Sequence, residues 1–560
     1  MTLPKGPSAG LLLLIFAVAL ALFFGAPLGE LAWRSLSAAD GGLTLAHYAE
    51  YLTSPGLQRS LVNTAVLGAW VVALVTPAAF LIAYGLERTR LPLKGMLASL
   101  AAAPLLVPSL LPALALVYLF GRQGLLKPML GGWTIYGAPG LVIADSIAAL
   151  PHAVVILRTA LSGADARLYE QAKLLGASGW KRFWTITLPG CRHGLVAAAL
   201  VVFALTIADV GAPKVVGGGF DVLALDIYKQ VIGQQNFEMG AVVAIMLLLP
   251  TAAAILFERH AASRQAASVS AQAKAYHPEP DRGRDLVVGI GCVLIALAIA
   301  AVMATAQLAA VVRQWPYDLS LTGIHYDFDR YDGGGWSAIT NSVMLALVTA
   351  VVGTVLAFVG AYLAERSQAG RGLKRVYSVL ALGPAAVPGL ALGLGFALFF
   401  NDPANPLHLI YGTVGILIAA NVVHFFTVAH LTSVSMLKSL DPAFEPAARV
   451  LGRGGLTLFG RVIAPLSAPA LVEIALYLFV NAMTTVSVVV FLYPPEFKLA
   501  AVAVLNMDDA GDSAPAAAMG MLILYVNIAA RIVGGLALRR LARRSTPVET
   551  PDTVLAGVAP

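Results

Sequence analysis

The sequence predicts an all-α integral membrane fold of about twelve transmembrane helices, arranged as two parallel six-helix repeats. Three observations predict it: a shortage of charge, long apolar runs, and a pattern that returns halfway along the chain. Of 560 residues, 59% are hydrophobic and only 12% charged, whereas an average soluble domain is about a quarter charged. A surface this poor in charge needs lipid as its solvent.

A helix crosses a bilayer core with roughly 20 apolar residues. Twelve runs qualify, at about 10–32, 60–85, 96–120, 138–157, 194–215, 240–257, 286–308, 339–364, 376–400, 411–434, 469–492 and 516–537. The first run follows Lys5, as a signal peptide would. Its length, and an equivalent span at 286–306, read instead as a retained anchor.

The net charge is +7, and its distribution gives an orientation. With the N-terminus inside, most of the 37 Lys and Arg fall in inside segments, as the positive-inside bias requires. Both termini are therefore expected in the cytoplasm of a bacterial inner membrane. The charges are spread over seven separate segments, which argues against a nucleic-acid surface. Two cysteines, Cys191 and Cys292, cannot build a disulfide framework or a metal cluster.

The repeat is visible in rare residues. Asn63, Tyr84, Glu87 and Arg88 return as Asn341, Tyr362, Glu365 and Arg366 at a constant offset of 278. Pro104 and Pro108 return as Pro384 and Pro388, and Gly176 returns as Gly452. An even number of spans per half makes the repeats parallel, related by an axis along the membrane normal. The expected domains are residues 1–257, a cytoplasmic linker at 258–285, a second membrane domain at 286–540, and a disordered tail at 541–560. The linker, with His277-Pro278-Glu279-Pro280 at its middle, reads as flexible.

Two inside loops, 158–193 and 435–468, exceed what reconnecting helices requires. The first carries Glu170, Ala172 and Gly176, then Leu188-Pro189. The second carries Glu445-Pro446-Ala447 and Gly452, then Pro465. Glycine to proline is thirteen residues in both. Each reads as a short amphipathic helix closed by a glycine C-cap, then a second helix and a proline that opens the next span. A plain amphipathic helix at the membrane face is the simpler reading of either loop.

These paired loops resemble the EAA loop of binding-protein-dependent importer permeases. The resemblance implies that each loop docks in a cleft of a cytoplasmic ABC ATPase, two copies of which would bind. It also implies a periplasmic substrate-binding protein and alternating access for a small-molecule substrate. ATP and magnesium would sit on the ATPase, since this chain has no G-x-x-x-x-G-K-[ST] sequence. No catalytic constellation is legible, so the chain is expected to be a transport subunit without cofactor or metal of its own. The second loop departs from the pattern, because Pro446 stands where the first has Glu170. Glu445 lies one residue earlier, so the acidic contact is expected to be displaced or lost.

Polar residues within spans are the pathway candidates: Asp145, His152, Asp209, Asn421, His424, Asn481, Thr484 and Thr485. Intramembrane ionisable groups usually face a cavity or a partner; hydrogen bonding between packed helices is the alternative. Two stretches, 325–336 and 479–512, resemble 2-aminoethylphosphonate permeases within the iron(III)-type group. That resemblance implies 2-aminoethylphosphonate as cargo. Ferric iron or thiamine remain open as same-fold alternatives, and an ion-gradient secondary transporter as a rival of another class.

Overall fold

A computed structural model describes residues 7–38, 41–163, 165–266, 276, 278–331, 333–367 and 369–545. Among them, eight helices are long and apolar enough to cross a membrane unbroken. They are α1 (Gly10–Leu36), α2 (Pro55–Arg88), α5 (Ala138–Ser162), α10 (Phe237–Ala266), α11 (Arg282–Val311), α12 (Ser337–Arg366), α15 (Val414–Ser439) and α19 (Ser513–Ser545).

Four further spans are bent pairs, which bring the number to twelve. In the first half, α3 (Lys94–Leu106) meets α4 (Leu110–Phe120) at 103°, and Gly179–Gly190 meets α7 (Arg192–Ala208) at 59°. In the second, α13 (Arg371–Ala386) meets α14 (Gly389–Phe400) at 114°, and Phe459–Leu466 meets α17 (Ala468–Thr484) at 66°. The shorter helices include α6 (Ala166–Leu174), α8 (Gly211–Val216), α9 (Leu223–Tyr228), α16 (Phe444–Val450) and α18 (Ala500–Asp509). A small antiparallel hairpin, β1 (Val312–Gln314) with β2 (Asp318–Leu321), follows α11.

The bends correct the uninterrupted spans expected at 96–120 and 376–400. Their apolar runs are continuous, but Pro104 and Pro108, like Pro384 and Pro388, remove amide donors and break the helix. Backbone groups freed inside a membrane need partners. Asn527 on α19 donates to the Leu106 carbonyl at 2.9 Å. Thr427 on α15 donates to the Ala381 carbonyl and accepts from the Ala385 amide. The spans expected at 194–215 and 469–492 also end early, at Ala208 and Thr484, where Asp209 and Thr485 take extended backbone.

The repeat is chemical as well as architectural. Asn63 on α2 donates to the Asp221 carbonyl, and Asn341 on α12 to the Lys498 carbonyl, at 2.9 and 3.1 Å. The next residues, Thr64 and Ser342, accept from the amides that open α9 and α18.

The first helix of each half crosses over to the other half. α1 lies against α13 and α14, with Phe23 stacked 5.6 Å from Phe400, and against α10 of its own half. α11 lies against α2, α3 and α4, and against α19. Outer faces of the spans stay apolar and exposed, as at Trp70, Leu74, Leu294, Val351 and Val355.

The linker differs from expectation. Residues 267–275 and His277 lie outside the described residues, as do 546–560 of the expected tail. Tyr276, Pro278 and Glu279 are tied to the first half. The Tyr276 ring lies 4.6 Å from Tyr169, Glu279 pairs with Lys173 at 2.7 Å, and Arg90 donates to the Pro278 carbonyl.

Candidate functional site

A central cavity of about 320 Å³ lies between the halves, at the level of the bends. The α3–α4 break brings Val107 and Ser109 to it, and the mirrored α13–α14 break brings Ala385–Gly389. The ends of α7 and α17 add Asp209, Asn481, Thr484 and Thr485; α5 and α15 add His152 and His424. Each bend meets the chain leaving the other bent span of its half through one hydroxyl and one glycine. In the first half, a Cβ on Gly211 would lie 2.3 Å from Ser109 Oγ. In the second, a Cβ on Gly389 would lie 2.2 Å from Ser487 Oγ. The same contact uses serine–glycine once and glycine–serine once.

Six of the eight pathway candidates therefore converge on one cavity. Asp145 joins through a side chamber of about 170 Å³, shared with Ser109, His152, Thr206, Asp209, Asn481 and Thr484. Asp209 accepts from Ser109 Oγ at 2.6 Å and from the Ala212 amide at 2.8 Å, so it also caps α8. Asn421 is the correction. It lines neither chamber, is fully buried in helix packing, and donates to the Leu417 carbonyl one turn back. Ser109, Thr206 and Ser487 were missed. Isolated hydroxyls give no signal in apolar runs, although Ser109 follows the repeated Pro108.

The end of the bundle holding β1 and β2 is closed above this cavity by a contact between the halves. Lys214 on α8 pairs with Asp509 on α18 at 3.2 Å and lies over the Tyr228 ring. A Cβ on Gly393 would meet the Val488 carbonyl at 2.6 Å, so α14 and the chain after α17 are in close contact.

At the opposite, basic end stand the two loops. Each short helix ends on a glycine in the left-handed region, Gly176 at φ 73° and Gly452 at φ 65°. The Ala177 amide reaches back to the Ala172 carbonyl, and Arg453 to Ala448, the hydrogen bond that closes a Schellman cap. The caps leave large apolar side chains in the open: Leu174 and Leu175 are 88% and 86% exposed, and Val450 and Leu451 are 88% and 73%. Glu170, Pro446, Ala447, Pro189 and Pro465 are also exposed, whereas Ala172 and Leu188 are half-buried.

Each loop hangs from an arginine at the end of the second span of its half. Arg88 donates to the Leu161 carbonyl at 2.6 Å and lies between two rings, 4.2 Å from Tyr276 and 5.0 Å from Tyr169. Arg366 donates to the Leu437 and Leu440 carbonyls. It also grips both oxygens of Glu445 at 3.1 Å. Glu445 occupies the place of Tyr169, not that of Glu170. It is turned inward, so it does not stand in for the acidic group that Pro446 removes.

A family model described as binding-protein-dependent transport system inner membrane component matches residues 75–266 and 353–543, one copy per half. A ferric transport system permease protein of Actinobacillus pleuropneumoniae is 27% identical over 76% of this chain and 63% of its own length. A protein named for ferric transport in Haemophilus influenzae is 26% identical over 80% of this chain and 72% of its own. A molybdenum transport system permease protein of Escherichia coli is 31% identical, over 29% of this chain and 72% of its own.

Proposed function

Since the chain belongs to the binding-protein-dependent transport system inner membrane component family, through both halves, we propose that it carries a hard cation, iron(III), through an ATP-binding-cassette importer. The permease role follows from the family; the cargo is the proposal. The observation that carries it is the lining of the cavity, rich in oxygens and without a lysine or arginine. Among the residues lining the two chambers are the carboxylates Asp145 and Asp209 and the imidazoles His152 and His424, with no lysine or arginine. An anion entering would meet acidic side chains and no lysine or arginine to neutralise it. Phosphonate and phosphate sites are normally built with Arg, Lys or helix N-termini. A hard cation is suited by carboxylate, hydroxyl, carbonyl and water oxygens. Relatives named for ferric transport support the same reading over 2-aminoethylphosphonate. Thiamine has no comparable support, and family membership leaves the ion-gradient rival without any.

In this reading the basic end is cytoplasmic, with both termini on that side. A periplasmic binding protein delivers cargo at the hairpin end. Two ATPase subunits grip the exposed helices before Gly176 and Gly452, and ATP binding draws them together. Alternating access then requires the Lys214–Asp509 contact to open, since it joins the halves above the cavity. ATP drives the change only by binding one state better than the other.

Uptake of labelled iron(III) and labelled 2-aminoethylphosphonate, in cells with and without this gene, tests the cargo. Loss of iron uptake alone is expected; loss of phosphonate uptake alone would overturn the proposal. For the loops, Gly176→Asp combined with Gly452→Asp should abolish uptake while membrane insertion stays normal. Unimpaired uptake would exclude them as docking sites.

A further inference from the structure

The side chamber beside Asp145 holds an unusual concentration of polar atoms without partners. Asp145 is 2% exposed, yet neither carboxylate oxygen has a hydrogen-bond partner. His152 Nδ1 and Thr206 Oγ1, both buried and both lining the same chamber, lack one too. Buried polar groups are hydrogen-bonded in the large majority of cases, and an orphan is costly. An orphaned carboxylate within a span is more costly still. Four such atoms around one space of about 170 Å³ mark a place that something polar fills.

The internal repeat supplies a control. Position 145 corresponds, at the offset of 276, to Asn421. There the side chain is a neutral amide whose Nδ2 bonds its own helix, its Oδ1 is buried without a partner, and it lines neither chamber. Packing this turn of the span is thus achieved without charge in the second half. The first half places a carboxylate on the chamber instead.

We propose that this chamber is a transient cation site on the route through the bundle, with Asp145 as its principal ligand. Ser109, Thr206, Asp209 and Thr484 supply further oxygens. Its chemical class is a hard, oxygen-seeking cation. Among the described residues no group of three or more His, Cys, Asp or Glu could hold a bare metal ion, so the ion keeps part of its water shell. The chamber has room for that, since a single water needs only about 10–15 Å³ measured in this way. Weak binding is what transport demands, because a site that held its ion tightly would not release it. This inference rests on the cationic-cargo reading above and goes beyond it by assigning a residue.

The test uses the full chain in lipid nanodiscs, with terbium(III) as a hard trivalent probe read by its luminescence. Binding is compared in wild type, Asp145→Asn, Thr206→Val and an exposed control, Asp402→Asn. Asp145→Asn copies the side chain the second half carries, so folding should survive; Thr206→Val keeps the shape and removes one oxygen. At least tenfold weaker terbium binding in Asp145→Asn, a smaller loss in Thr206→Val and none in Asp402→Asn is the expected result. Equal binding in wild type and both chamber variants would overturn the site. The cargo reading is tested separately by iron uptake in the same Asp145→Asn cells. Terbium binding that depends on Asp145, with iron uptake absent even in wild type, would uphold the site and sink iron as its cargo.

Discussion

The two loops at the basic end do the same job with different chemistry. Both hang from an arginine that ties off the carbonyls ending the fourth span of its half. In the first, that arginine lies between Tyr169 and Tyr276, a ring brought by the linker. In the second, it grips Glu445 with two hydrogen bonds, and the linker plays no part. Glutamate in such a loop is naturally read as a group for a partner. Here it is an internal anchor, and the second loop exposes Pro446 where the first exposes Glu170. The repeat therefore preserves a mechanical requirement, a loop fixed to its span, while the exposed surfaces of the two short helices diverge. The difference predicts two unequal ATPase contacts.

The largest effect should come from cutting the second anchor. Arg366→Ala leaves Glu445 half-buried without its cation, the Leu440 carbonyl without its donor and the Leu437 carbonyl with only the Leu440 amide, a loss of about 3–5 kcal/mol. Arg88→Ala removes ring contacts and one carbonyl bond, with no carboxylate left behind, for about 2 kcal/mol. Unfolding of the purified chain in mixed micelles would rank them. Adding Glu445→Gln should recover part of the Arg366→Ala loss and do nothing for Arg88→Ala. Equal losses in the two single variants would end the comparison.

A smaller effect should appear in coupling. Glu170→Ala should lower ATP-driven uptake about tenfold, or about 1.4 kcal/mol, whereas Pro446→Ala should stay close to wild type. Installing the missing acid with Pro446→Glu should move the second loop toward the first, read as tighter ATPase binding. Identical responses at both loops would mean that the acidic residue is not the asymmetric element.

The smallest effect concerns the linker. Glu279, paired with Lys173 and close to Arg182, is held below the usual glutamate range chiefly by the Lys173 hydrogen bond. A carboxyl depressed in the folded state stabilises it above its unfolded value, and that contribution fades as pH falls through the folded value. Acidification below about 4.5 should therefore loosen the linker from the first loop. The pair is exposed, so Glu279→Gln should cost only a few tenths of a kcal/mol, erased by salt. Protease cleavage after Tyr276 would report it.

Much of this was legible in the sequence, because membranes impose long apolar runs and the repeat marks its anchor points with rare residues. Asn63 and Asn341, and Arg88 and Arg366, stand at matched places because each binds a matched carbonyl. The breaks at Pro108 and Pro388 were harder, since an apolar run does not reveal that its backbone turns by more than 100°. The inward turn of Glu445 was hidden for a different reason. Its partner lies 79 residues away, and nothing local distinguishes an anchoring glutamate from a docking one. Asn421 failed as a pathway residue because an amide can bond its own helix, whereas the carboxylate at Asp145 cannot.

The exchange of first helices sets a schedule for the ribosome. α1 emerges before its seats on α13 and α14, which are synthesised hundreds of residues later. At about 5–20 residues per second, the helix waits on the order of tens of seconds for them. The groove on α2, α3 and α4 is likewise bare until α11 arrives. A chain stopped after its first repeat would thus not be half a transporter, but a bundle with one empty groove and one half-seated helix, fit for the quality-control proteases of the membrane.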